Sequence, residues 1–174
     1  DDNPFWMVGN NQIKSCRILP GNQLATLGTF RSSSISSNTT EGASLSNSPS
    51  LGCGTRQASD VYVSCQAPYI IKYPFGAAKA KLISCPNSWY DAETQLTTLQ
   101  DGRILLFMKN MHLAILSPAT QKITDLEISG APKHGNIDPA FARQDSRGNI
   151  WLGTKRAGLY RFTLKDRKLE KMNF

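Results

Sequence analysis

No stretch of this 174-residue chain reaches 18 consecutive apolar residues, so no segment reads as a membrane-spanning helix. Its first residues, Asp1-Asp2-Asn3-Pro4, lack the basic and apolar regions of a secretory signal. Three origins fit that start: a cytosolic protein, a mature secreted one, or a piece of a longer chain. Histidine is scarce, with only His112 and His134, and there is no H-E-x-x-H pair and no Gly-rich phosphate loop. The four cysteines, Cys16, Cys53, Cys65 and Cys85, form no C-x-x-C pair and have no histidine nearby. A zinc site therefore has no ligand set, and neither a metal nor a cofactor is expected.

What the chain does contain is repetition. Residues 141–174 read FARQDSRGNIWLGTKRAGLYRFTLKDRKLEKMNF. Gly148-Asn149 is a turn signal, Ile150-Trp151-Leu152 a short apolar run, and Leu159-Tyr160-Arg161-Phe162 alternates with the two-residue period of a half-buried strand. Four short strands joined by tight turns make a sheet too small to stand alone. A shift of 46 places Ile104-Leu105-Leu106 under Ile150-Trp151-Leu152, Leu113 under Leu159 and Lys122 under Lys168. A shift of 89 places Val61-Tyr62-Val63 and Ile70 to Tyr73 under the same two strands. A shift of 126 brings Leu24 under Ile150, but it fails further on, where Ser33 meets Leu159. Units spaced 37, 43 and 46 residues apart are a repeat signature, and four strands per unit favour propeller blades over a helical solenoid.

The predicted fold is therefore all-β, a fragment of a β-propeller of about four blades, each a small four-stranded antiparallel sheet. The units fall at about 12–50, 51–83, 95–128 and 141–174, and Ile150, Leu152, Leu159 and Phe162 are expected to pack between sheets. Phe5-Trp6-Met7-Val8 is strand-like and reads either as the tail of an earlier blade or as a docked N-terminal strand. Residues 29–50 contain 12 Ser or Thr among 22 and read as a long loop that buries little. Asn38-Thr39-Thr40 is a glycosylation sequon of little weight here. Cys16 and Cys53 both align with Ala142 on the innermost strand, a place for small buried residues, so free thiols are expected. A four-blade arc with a weak first blade is small for a closed ring, so the chain reads as part of a larger protein with possible self-association.

The formal net charge is +7, which could point to nucleic acid. Its distribution points elsewhere. Between residues 155 and 171 lie seven Lys or Arg against two acids, on the turns and outer strand of the last unit. Edge lysines of that kind discourage sheet-to-sheet aggregation, so no nucleic-acid partner is expected.

The run Asp145-Ser146-Arg147-Gly148-Asn149-Ile150-Trp151-Leu152-Gly153-Thr154, with Gly158-Leu159-Tyr160-Arg161-Phe162, resembles the two-component regulator propeller repeat. Unit three keeps the turn as Gln100-Asp101-Gly102-Arg103-Ile104 but replaces the tryptophan with Leu105, and unit two keeps only the strand pattern. The resemblance implies a periplasmic sensor domain, the extracytoplasmic part of an inner-membrane hybrid histidine kinase, reading glycans or their breakdown products. It also implies partners in the remaining blades and in signalling domains of the same protein.

Binding residues are sought where loops gather on a rigid scaffold. In a propeller, the loops entering each innermost strand and those between second and third strands share one face. Here that face collects Trp89, Tyr90 and Asp91, then His134, Asn136 and Asp138, with Lys109-Asn110 and Lys155-Arg156 from the internal loops. Aromatic rings beside amide, acid and cationic groups suit an oligosaccharide or another small molecule. For any single one of these residues an ordinary solvated loop is the better expectation. The alternatives are a propeller-fold hydrolase or lyase acting on glycans, and a protein-interaction scaffold. Asp138 and Asp145 are the only carboxylates singled out as an acid/base pair, while the Asp145 turn resembles the Asp-box of sialidases with one residue too many. Capping of its own turn is the expected role of Asp145, and the chain as it stands is expected to be non-catalytic.

Overall fold

The computed structural model describes residues 5–9, 12–20, 23–31, 51–66, 68–77, 79–85, 88, 90–91, 93–132 and 137–173. These residues form β1 (Phe5–Gly9), β2 (Gln12–Leu19) and β3 (Gln23–Arg31) in a first sheet. The second holds β4 (Leu51–Gln57), β5 (Asp60–Cys65), β6 (Tyr69–Pro74) and β7 (Lys81–Ser84). The third holds β8 (Gln95–Thr98), β9 (Ile104–Phe107), β10 (Leu113–Ser117) and β11 (Lys122–Leu126). The fourth holds β12 (Pro139–Gln144), β13 (Ile150–Thr154), β14 (Leu159–Thr163) and β15 (Lys168–Lys171). Each strand pairs antiparallel with the next in sequence, because tight turns permit only that pairing. The first strands of successive sheets pack against one another, β1 on β4, β4 on β8 and β8 on β12. That is the arrangement of propeller blades around an axis.

Three clusters fill the three spaces between sheets. Ile13, Phe30, Val61, Val63, Ile71 and Tyr73 fill the first. Tyr62, Ile70, Ile104, Leu106 and Leu116 fill the second, and Leu105, Phe107, Leu113, Leu152 and Phe162 the third. Successive residues of one strand thus point into different clusters: Val61 and Val63 one way, Tyr62 the other. The two middle sheets are covered on both faces, which is why Val61-Tyr62-Val63 and Ile104-Leu105-Leu106-Phe107 are unbroken apolar runs. The fourth sheet is covered on one face, which is why Leu159-Tyr160-Arg161-Phe162 alternates. Each fully buried Ile, Leu or Phe contributes roughly 1.5–3 kcal/mol.

Four expectations need correction. The first sheet opens with Phe5-Trp6-Met7-Val8, which is β1 and the axial strand. Cys16 consequently lies on the second strand, opposite Phe5, while Cys53 does lie on an axial strand. None of the four cysteines forms a disulfide. The strand β3 continues through Arg31, and Phe30 is buried 6.0 Å from the Tyr73 ring, so residues 29–31 belong to the sheet. Residues 32–50 lie outside the described ones. Leu159 is half-buried and pairs with Gly153, while Tyr160, opposite Leu152, occupies the inter-sheet position. The register puts Tyr160 and Phe162 on one face and Leu159 on the other.

The turn before β13 is built as its residues require. Asp145 Oδ1 accepts from the backbone N–H groups of Arg147 and Asn149, both at 2.9 Å. Its Oδ2 accepts from Asn149 Nδ2 at 2.9 Å and from Trp151 Nε1 at 3.0 Å. Gly148 stands at φ +86°, a conformation that costs a side chain-bearing residue energy. Four donors on one carboxylate, led by Asn149 and the Trp151 indole, hold the Asp145 pKa down to about 2. The contribution to stability is complete above the ordinary value near 3.8 and is lost as the pH falls toward 2. A carboxyl-carbon NMR titration of Asp145 is expected to show a midpoint near 2, with the Trp151 indole proton moving in step. A midpoint at the ordinary value would mean the turn is not held this way.

Candidate functional site

The loops entering β8 and β12 and those between β9 and β10 and between β13 and β14 meet at one face of the third and fourth sheets. Asp91 organises the first of them: its backbone N–H donates to Thr94 Oγ1 at 3.1 Å, and its Oδ1 accepts from the Glu93 N–H at 2.8 Å. The second loop is a single 3-10 turn, Lys109–Met111, in which Asn110 adopts φ 54° and ψ 34°. Asparagine tolerates that left-handed conformation better than most residues. Asn110 then joins the two sheets, donating its N–H to the Ile137 carbonyl at 2.8 Å and accepting from the Ile137 N–H through Oδ1 at 3.2 Å.

Two ion pairs complete the surface. Lys109 Nζ lies 2.6 Å from Asp91 Oδ2, and Lys155 Nζ lies 2.8 Å from Glu93 Oε1. The Asp138 carbonyl accepts from the Lys155 N–H at 3.0 Å. The hydrogen bond to Asp91, followed by the charges of Asp91, Glu93 and Asp138, holds the Lys109 pKa above the ordinary lysine value. Both pairs are substantially solvated, so each contributes little to stability. What they do is set the spacing of alternating charges over the joint between two sheets. Arg156 is exposed, and no hydrogen bond or ion pair holds its side chain among the described residues.

Of the sequence-predicted residues, Asp91, Lys109, Asn110, Asp138 and Lys155 come together here, with Arg156 beside them. Tyr90 does not join them. It is buried, donates its hydroxyl to the Tyr69 carbonyl at 2.6 Å and accepts from the Cys65 N–H at 3.1 Å. Burial pushes its phenol pKa well up, so Tyr90 serves the second sheet's interior rather than a ligand. Trp89, His134 and Asn136 lie outside the described residues. Glu93 is the member that sequence reasoning missed; its signal was Asp91-x-Glu93, two carboxylates bracketing the entry to a strand.

The acid/base pair fails on distance. Asp138 and Asp145 stand at opposite ends of β12, and at ~3.3 Å per residue the strand separates them by about 20 Å. Paired glycosidase carboxylates stand about 5–9.5 Å apart. His112 is half-buried, and burial lowers its pKa. Among the described residues no group of three or more His, Cys, Asp or Glu could hold a metal ion, and no helix is long and apolar enough to cross a membrane.

No known protein family's sequence profile and no curated protein matches this chain. Solved structures do. The extracellular domain assigned to a hybrid two-component system of Bacteroides thetaiotaomicron aligns over 99% of this chain and 24% of its own length, at 13% identity and a TM-score of 0.65. A second such domain from that organism aligns over 87% and 20%, at 16% identity and a TM-score of 0.54. Virginiamycin B lyase from Staphylococcus aureus aligns over 99% and 56%, at 14% identity and a TM-score of 0.62. The chain thus spans little more than half of the lyase and about a quarter or less of the two extracellular domains. At these identities the likeness establishes the fold: the chain is a four-sheet arc of a β-propeller.

Proposed function

We propose that this arc belongs to the extracytoplasmic sensor propeller of a hybrid two-component system, located in the periplasm, and that its loop face reads an oligosaccharide or sugar acid. The observation that carries the reading is the loop face itself. Lys109, Asp91, Lys155 and Glu93 present alternating charges from three loops, and Asn110 holds them to the adjoining sheet. Such a surface offers bidentate acceptors and donors to hydroxyls and carboxylates, while the separation of Asp138 from Asp145 removes the acid/base pair a hydrolase would use. The likeness to extracellular domains of two-component systems supports the same reading.

The remaining partners are further propeller sheets of the same protein and its signalling domains. Phe141 is 45% exposed on the uncovered face of the fourth sheet, beside half-buried Trp151 and Leu159, and Met7 and Leu27 are exposed on the first sheet. The matching positions of the third sheet, Leu105 and Leu113, are buried by the sheet that follows. Further sheets would cover these faces in the same way, and without them the chain self-associates.

Calorimetry with a panel of neutral and acidic oligosaccharides tests the proposal. Weak binding is expected, with a Kd near millimolar (about −4 kcal/mol), because only part of the ring is present. Replacing both Lys109 and Lys155 by Ala abolishes it. Sedimentation of the same samples should show association that grows with concentration. Hydrolysis or elimination of any glycan at enzyme-like rates would replace the sensor reading with the enzymatic one. A strictly monomeric chain that binds no glycan would sink both parts of the proposal.

A further inference from the structure

The space between the axial strands of the first two sheets is built differently from the two that follow. Between β4 and β8 the hydroxyls of Thr55 and Thr98 lie 2.9 Å apart, and the Leu96 N–H donates to Cys53 Sγ at 3.2 Å. Between β8 and β12, Thr97 Oγ1 donates to the Ala142 carbonyl at 2.8 Å. Between β1 and β4 there is instead a cavity of about 400 Å³, lined by Phe5, Trp6, Val8, Thr55, Arg56 and Val61 around Gly54. Gly54 places no side chain on this wall; a methyl group there would stand in ordinary contact with Val63 at 3.4 Å and Val8 at 3.6 Å. The cavity lies toward the β4–β5 turn, at the opposite end of the sheets from the loop face described above.

One cation faces this cavity with donors to spare. The Arg56 guanidinium lies 5.3 Å from the centre of the Trp6 ring, and its Nε donates to the Ala58 carbonyl at 3.0 Å. Those contacts fix the plane of the guanidinium, while its terminal amino groups have no acceptor among the described residues. Trp6 is held on its other side by the Phe75 ring, edge-on at 5.4 Å. Its indole N–H is buried and has no hydrogen-bond partner among the described residues. Buried donors normally find an acceptor. A largely apolar cavity of this size beside one pre-oriented cation has the make-up of a small-molecule site.

We propose that this cavity binds a small aromatic carboxylic acid. The ring of the acid lies among Phe5, Val8 and Val61, and its carboxylate takes both terminal amino groups of Arg56, whose plane the Trp6 ring sets. Other ligand classes fit less well. Polyhydroxylated sugars find only Thr55 as a polar side chain besides Arg56, and its hydroxyl is engaged by Thr98. A bare inorganic anion leaves the apolar walls unused, and a cation meets Arg56. The proposal is independent of the sensor reading, since the two sites share no residue.

Phenylacetate and its neutral isostere phenylacetamide, titrated into the whole chain at pH 7, form the test. Phenylacetate is expected to bind saturably and to move the indole N–H resonance of Trp6, assigned by its loss in Trp6→Phe. Phenylacetamide should bind at least tenfold more weakly. Arg56 is exposed at the strand end, so Arg56→Gln folds normally and brings phenylacetate down to the level of the amide. In Lys109→Ala, at the opposite face, phenylacetate affinity is unchanged. Equal binding of acid and amide, undiminished binding to Arg56→Gln, or no binding of phenylacetate would each overturn the proposal.

Discussion

Phe162→Ala is expected to lower the unfolding free energy by about 3–5 kcal/mol, the usual cost of emptying a large aromatic site in a core. Phe162 is fully buried on β14, pairs with Ile150 and Leu169, and shares its cluster with Leu105, Phe107 and Leu113 of the third sheet. The cavity would open between two sheets, where neither can close it without moving as a whole. Against a total stability of roughly 5–15 kcal/mol, the loss releases the fourth sheet or unfolds the chain. Urea unfolding monitored by tryptophan fluorescence would report it as a lower midpoint. Leu159→Ala, three residues earlier on the other face, is the control, with a cost of about 1 kcal/mol or less given its half exposure. Equal effects at the two positions would mean the register of β14 is wrong.

Gly130→Ala is expected to cost about 1–3 kcal/mol from backbone strain alone, with a steric cost added. Gly130 sits at φ +82°, and a Cβ there would stand 2.3 Å from the Leu169 carbonyl oxygen. The backbone of Leu169 cannot yield, because its N–H donates to the Ser129 carbonyl at 2.9 Å while the Ser129 N–H donates to the Arg167 carbonyl at 2.9 Å. This short parallel bridge fastens the linker after the third sheet to the outer edge of the fourth. Amide exchange at Leu169 and Ser129 should accelerate in the variant well before exchange in β13 does. A variant as stable as the parent, with both amides still protected, would show that the linker packs differently.

The repeat was legible from residues because each sheet reuses the same turn and strand lengths. Ile150, Ile104 and Val61 do occupy equivalent second strands. The first sheet was misread by one strand, since the Gly21-Asn22 turn was matched to the one before β13 and the Ser/Thr-rich stretch lengthens the spacing to the next sheet. A 37-residue match then placed Leu24 on a second strand, although it lies on a third. Leu159 was misjudged for a different reason: alternation shows that two faces differ, not which one is covered. For Tyr90 the error was positional. Its neighbour Asp91 is at the loop face, but one residue further back the hydroxyl already reaches Cys65 and Tyr69 inside the second sheet.

By itself the sequence determined the all-β class, the strand order within the matched repeats, and the turn at Asp145, because these depend on interactions between residues close in the chain. Tertiary structure alone decided which strand faces the axis and which side of each sheet is covered. It also joined Asp91 with Lys109 and Glu93 with Lys155, and opened a cavity between β1 and β4. Those outcomes depend on contacts between residues well apart in the chain, 18 positions for Asp91 and Lys109 and 62 for Glu93 and Lys155, where side-chain volume and charge act between neighbours that no local pattern brings together.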